Sequence, residues 1–180
     1  MRIFMRRVQR ITLGAAVFIA LLLSPLFGGT TTSSATLNIS VTVPKTVAIS
    51  VESTSDAEGI DFTDDPRDLL LGVVRERNNS FDGYQVYLTS ENAAALESDR
   101  GHFTSTDGSN SSQIPYVVSY GGTLVEFDRG TARVTDYSGE PAMGEGHAKE
   151  VRLVRLDRQE AALPDPGSYS DTLTFTIAAK

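Results

Sequence analysis

The stretch that most constrains the fold of this chain is its last one, residues 163–180, Leu-Pro-Asp-Pro-Gly-Ser-Tyr-Ser-Asp-Thr-Leu-Thr-Phe-Thr-Ile-Ala-Ala-Lys. Pro164, Pro166 and Gly167 punctuate the backbone and turn it. Polar and apolar residues then alternate from Thr172 to Ile177. That period of two predicts a strand with Leu173, Phe175 and Ile177 on the buried face and threonines outside. Tyr169, with Asp171 two residues on, stands between the turn and the strand. There its ring can pack on the edge of a sandwich while its hydroxyl bonds backbone, as in a tyrosine corner. An exposed tyrosine ahead of a plain closing strand is the other reading. Either way the chain ends inside a sheet, and earlier segments must supply the strands that pair with it.

They do so in short pieces. Residues 69–77 are apolar enough for a core strand, and residues 84–90 place Tyr84, Val86 and Leu88 on one face. The Asp82-Gly83 pair between them favours a tight turn, because glycine accepts positive φ without cost, and predicts that the two segments form a hairpin. Ser90 is placed to cap one or two helical turns over residues 91–96. Residues 100–113 read as a surface loop on their Gly, Ser, Thr, Asn and Asp content. Residues 114–120 form a strand begun by Pro115, and Gly121-Gly122 turns it into residues 123–127. Residues 129–146 read as irregular. Val151, Leu153, Val154 and Leu156 mark a further strand, with Arg152, Arg155 and Arg158 as a basic row laid over an acidic surface. Many short strands, no long helix and no internal repeat predict an all-β, antiparallel β-sandwich.

The other end of the chain reads as a targeting signal over residues 1–35. Arg2, Arg6, Arg7 and Arg10 precede an apolar run from Ile11 to Phe27, and Ser33-Ser34-Ala35 offers small residues for cleavage. A retained membrane anchor is the alternative, but the run is short for one and no charged stop-transfer follows. Cleavage leaves no membrane span. About 145 residues remain, enough to bury a core without disulfides. Of 16 basic residues the four leader arginines are lost, leaving 12 against 23 acidic, a net charge of −11 rather than −7. So acidic a domain repels nucleic acid and anionic lipid.

Residues 36–43, Thr-Leu-Asn-Ile-Ser-Val-Thr-Val, form an apolar comb of Leu37, Ile39, Val41 and Val43. Pro44 interrupts before Val47, Ile49 and Val51 resume the alternation, giving two strands or one strand broken at an edge. Such a comb at an exported N-terminus invites aggregation unless something covers it. The resulting organisation is a signal peptide (1–35), an N-terminal extension (36–44) and a sandwich domain (45–180).

Most catalytic chemistries find no support in the residues. There is no cysteine, hence no disulfide framework and no thiolate metal site. His102 and His147 lie far apart among Gly, Ser and charged residues and read as solvated. No nucleophile-elbow sequence accompanies a serine. Asp56, Glu58, Asp61, Asp64 and Asp65 lack the spacing of a calcium loop and read as a solvated acidic segment. The expectation is a protein with no cofactor, no metal and no enzymatic activity.

The chain resembles subunits of chaperone–usher pili, in particular spore coat U-type and related fimbrial subunits. Residues 36–43 running into 47–51 resemble a pilin N-terminal extension and first strand. Asp82-Gly83-Tyr84-Gln-Val-Tyr-Leu-Thr-Ser90 with Asn92, and Ile114-Pro-Tyr-Val-Val-Ser-Tyr120, resemble the family's central strands. Gly167-Ser-Tyr169-Ser-Asp171-Thr-Leu-Thr-Phe-Thr-Ile177 is similar to its closing Gly-x-Tyr-x-Asp strand. The chain departs from the family by lacking the cysteine pair that many such pilins carry.

The resemblance implies an immunoglobulin-like sandwich lacking one strand, exported to the periplasm and assembled into a cell-surface fimbrium, with cell adhesion as the setting. A periplasmic chaperone first fills the apolar groove. At the outer-membrane usher, the extension of a neighbouring pilus subunit then replaces it, by donor-strand exchange. Leu37, Ile39, Val41 and Val43 are the implied donor residues. A self-contained secreted or surface β-sandwich that binds carbohydrate or protein is the competing class, although the chain has no tryptophan to form an aromatic platform.

Overall fold

A computed structural model describes residues 36–61, 66–108, 110–157 and 164–180. The leader, Asp64, Asp65 and Arg158 lie outside those residues. The chain divides into two compact units, Met1–Val41 and Thr42–Lys180. In the first, residues 36–41 carry no strand and are exposed. The second is an all-β antiparallel sandwich of two sheets.

The larger sheet contains β1 (Val47–Ser53), β2 (Arg67–Asn78), β8 (Ala142–Leu156), β5 (Gln113–Tyr120), β4 (Gly101–Ser105) and β9 (Tyr169–Ser170) in that order, with β6 (Thr123–Leu124) also on β5. The smaller has β3 (Tyr84–Ser90) between β10 (Leu173–Ala179) and β7 (Thr131–Tyr137). Alternation dictates which side chains go inside. Tyr84, Val86, Leu88 and Ser90 of the central strand β3 are fully buried. They face Val74 of β2, Tyr116, Val118 and Tyr120 of β5, and Val151, Leu153 and Leu156 of β8, which form the core.

Four sequence expectations need correction. Residues 69–77 and 84–90 do not pair as a hairpin: β2 pairs with β1 and β8, β3 with β10 and β7. The connection between them carries the chain from one sheet to the other. Gly83, at φ +86° and with its Cα facing the Tyr137 carbonyl too closely for a side chain, makes that crossing. Residues 100–113 are not all loop, because Gly101–Ser105 is β4, paired with the start of β5. Residues 129–146 are not irregular, since they hold β7 and the beginning of β8. Of the two N-terminal alternating segments only the second is a strand; it is β1, paired to β2 from Val47–Asn78 to Ser53–Gly72. The Gly121-Gly122 turn forms as expected, with both residues at positive φ (+55° and +85°), the signature of a tight type I′ hairpin.

Helix α1 (Glu91–Ala95) is a single capped turn after β3, in which Ser90 Oγ accepts the Ala93 N–H at 3.0 Å. The basic row on β8 is partly neutralised: Arg152 pairs with Asp68 at 2.6 Å and with Glu150 at 3.0 Å. No helix among the described residues is long and apolar enough to cross a membrane.

Candidate functional site: an open apolar groove and an unpaired strand edge

β10 presents Leu173, Phe175 and Ile177 inward and Thr174 and Thr176 outward, as its alternation requires. None of the three apolar residues is fully covered; each is half-buried. The cause lies in the sheet order. β10 is the outer strand of its sheet, bonded to β3 on one side, and on its other side no strand pairs with it among the described residues. Across from it stands β1, likewise an edge strand, whose Val51 is 52% exposed although it continues the apolar face of Val47 and Ile49. A cavity of about 250 Å³ opens between the two sheets here, walled chiefly by Val51, Ile60, Leu71, Phe103, Leu173 and Phe175. Among the described residues the sandwich is therefore unclosed along one side, with backbone donors and acceptors on the β10 rim and apolar side chains on the floor.

One end of this groove is fixed by Asp171, which the sequence marked only as part of a closing motif. Its Oδ2 accepts the hydroxyls of Ser90 (2.6 Å) and Tyr116 (2.5 Å). Its Oδ1 accepts the N–H groups of Asn92 (3.1 Å) and Thr172 (2.8 Å). The carboxylate thus also serves the first turn of α1, where negative charge is favoured. Asn92 Nδ2 adds bonds to the carbonyls of His102 and Ser170, joining α1 to β4 and β9. Tyr169 packs its half-buried ring against the core and donates its hydroxyl to the Asp165 carbonyl at 2.6 Å, four residues upstream. That is the backbone bond expected of a tyrosine corner.

The candidate donor residues are not part of any strand. Leu37, Ile39, Val41 and Val43 are 83%, 86%, 86% and 72% exposed. They form an apolar comb that pairs with no strand among the described residues.

Sequence reasoning missed a second polar site. Glu76 of β2 is completely buried. Its Oε1 accepts the hydroxyls of Tyr120 (2.5 Å) and Thr135 (2.7 Å), and its Oε2 that of Tyr84 (2.9 Å). The Tyr84 oxygen lies 2.8 Å from His147 Nδ1; with its own proton given to Glu76, it accepts there from an Nδ1–H tautomer. His147, expected in solvent, instead sits half-buried with its ring edge-on to Tyr137 at 4.6 Å. Burial pushes the ionisation of Tyr84, Tyr116 and Tyr120 upward, and the carboxylates of Glu76 and Asp171 beside them push it further. The legible signal was a glutamate at an inward position of β2, in phase with Val74, opposite strands that bring inward tyrosines. Among the described residues no group of three or more His, Cys, Asp or Glu is arranged to hold a metal ion.

No protein-family model matches the chain, and no curated protein sequence is significantly similar to it.

Proposed function

We propose that the protein is a structural subunit of a surface fimbrium, exported through the periplasm and assembled by donor-strand exchange. The observation that carries this reading is a complementarity within one chain. The sandwich leaves an apolar groove beside the unpaired edge of β10, and the same chain carries a strand-like comb with four exposed apolar residues at alternate positions. A comb from another copy, laid along β10, would bond its backbone to the free edge and send alternate side chains into the groove. This is β-augmentation. The immunoglobulin-like sandwich lacking one strand would be completed in trans. A periplasmic chaperone holding the groove before exchange at an outer-membrane usher fits the same geometry, since an open groove of this kind must be covered in transit. Head-to-tail interfaces of this type generate open filaments wherever the rotation between successive subunits does not close a ring.

Burying four such side chains would contribute on the order of 6–10 kcal/mol at roughly 1.5–3 kcal/mol each, discounted for incomplete burial. Deleting residues 36–43 should then leave the domain foldable but unable to extend a chain. A synthetic peptide of that sequence should raise the melting temperature of the truncated domain. Val41→Asp should block polymerisation while scarcely disturbing the monomer, because an unpaired carboxylate would have to enter an apolar groove. A full-length chain that stays monomeric, with a peptide that fails to stabilise the truncated domain, would refute the proposal.

A further inference from the structure

Residues 44–46, which lead into β1, are gripped by the connection between β2 and β3. Asn79 holds them from both sides: its Oδ1 accepts the Thr46 N–H at 2.7 Å and its Nδ2 donates to the Pro44 carbonyl at 2.9 Å. Its backbone N–H also donates to the Thr46 carbonyl at 3.2 Å, the pair that follows Val47–Asn78 in the β1–β2 register. Lys45, between them, forms an ion pair and hydrogen bond with Asp82, which holds the Asp82 carboxyl below the ordinary carboxylate range. Each of the three consecutive residues is tied to one short connection. On the far side of that connection, the Lys180 N–H donates to the Gly83 carbonyl at 3.2 Å, so β10 ends where the clamp begins.

We infer that this clamp prevents the chain from filling its own groove and so commits the comb of residues 36–43 to a second copy. The inference rests on the function proposed above. Only residues 44–46 separate the comb from β1, and β1 borders the groove. A segment on so short a tether has an effective concentration on the order of millimolar, far above that of free subunits in dilute solution. Self-filling would therefore outcompete exchange unless it were opposed. To self-fill, the backbone must reverse within residues 44–46, and a hairpin loop of that length uses its own N–H and C=O groups to close. The clamp engages the Pro44 carbonyl and the Thr46 N–H toward β2 instead. Asn79 and Lys45 are thus positioning residues for assembly, without being part of the groove.

The test is binding of a labelled peptide of residues 36–43 to full-length chains diluted until monomeric, comparing wild type with a Lys45→Ala, Asn79→Ala double variant. The expected result is peptide affinity at least about tenfold weaker for the double variant. Deleting residues 36–43 from that variant should restore wild-type affinity, and the undeleted variant should form fewer and shorter filaments. Equal affinity in wild type and double variant would overturn the inference while leaving the proposed function standing. Affinity that stays weak after the deletion would overturn it too, by showing damage to the groove itself. A peptide that binds neither wild type nor truncated wild type would remove the proposed function and this inference together.

Discussion

At the scale of single residues, Asp171 organises more of this molecule than any apolar side chain in the closing strand. One carboxylate satisfies two hydroxyls and two backbone N–H groups drawn from β3, α1, β5 and the residue just before β10. Asp171→Ala should destabilise the domain by about 3–5 kcal/mol, since the partly buried donors it leaves behind keep their desolvation cost. Tyr169→Ala should cost about 2–4 kcal/mol, nearer the lower figure because the ring is half-buried, and Tyr169→Phe about 1 kcal/mol for the lost bond to Asp165. Chemical denaturation reads all three, and an unchanged midpoint for Asp171→Ala would contradict the role given to it. The buried tyrosines make a separate forecast about pH. Tyr84, Tyr116 and Tyr120 hold their protons more tightly folded than unfolded, so they leave stability unchanged below the ordinary tyrosine value of 10.0. Above it the unfolded chain loses protons that the folded one retains, and stability falls by up to ~1.4 kcal/mol per pH unit for each tyrosine. Alkaline unfolding followed by tyrosinate absorbance should therefore begin above pH 10 and be cooperative. Gradual ionisation without unfolding would count against it.

At the scale of elements, the sequence exposed faces but not neighbours. Alternation placed Tyr84, Val86 and Leu88 of β3, and Leu173, Phe175 and Ile177 of β10, on their correct sides. It could not reveal that β2 and β3, adjacent in the chain, belong to opposite sheets, because period two carries no information about partner strands. β4 escaped notice since Gly-His-Phe-Thr-Ser holds a single large apolar residue, and its pairing comes from β5 and β9 on either side. β7 escaped because an edge strand is half-solvated, and its threonines, Arg133 and Asp136 dilute the pattern. The groove was half legible. The comb and the closing motif stand out in the sequence, whereas the partners of Asp171 lie as far as 81 residues away and have no local trace. The clamp was still less visible, because an Asn-Asn-Ser link signals a turn whatever its side chains hold.

At the scale of the whole sandwich, export makes a prediction of its own. If residues 1–35 are removed on secretion, amino-terminal sequencing of exported protein should begin at Thr36, leaving the comb at the very start of the chain. A start at Met1, or well inside Val41, would contradict this. Glu76 has a wider meaning. A carboxylate sealed among hydroxyls from β3, β5 and β7 is tolerated at only one alignment of the two sheets. Slide β2 by a single residue and Arg75 or Arg77 would point inward, while Glu76 would abandon three hydroxyls to an apolar interior. The residue thus acts as a key that fits one lock: misaligned sandwiches, equally greasy and equally compact, are rejected during folding by chemistry rather than by shape.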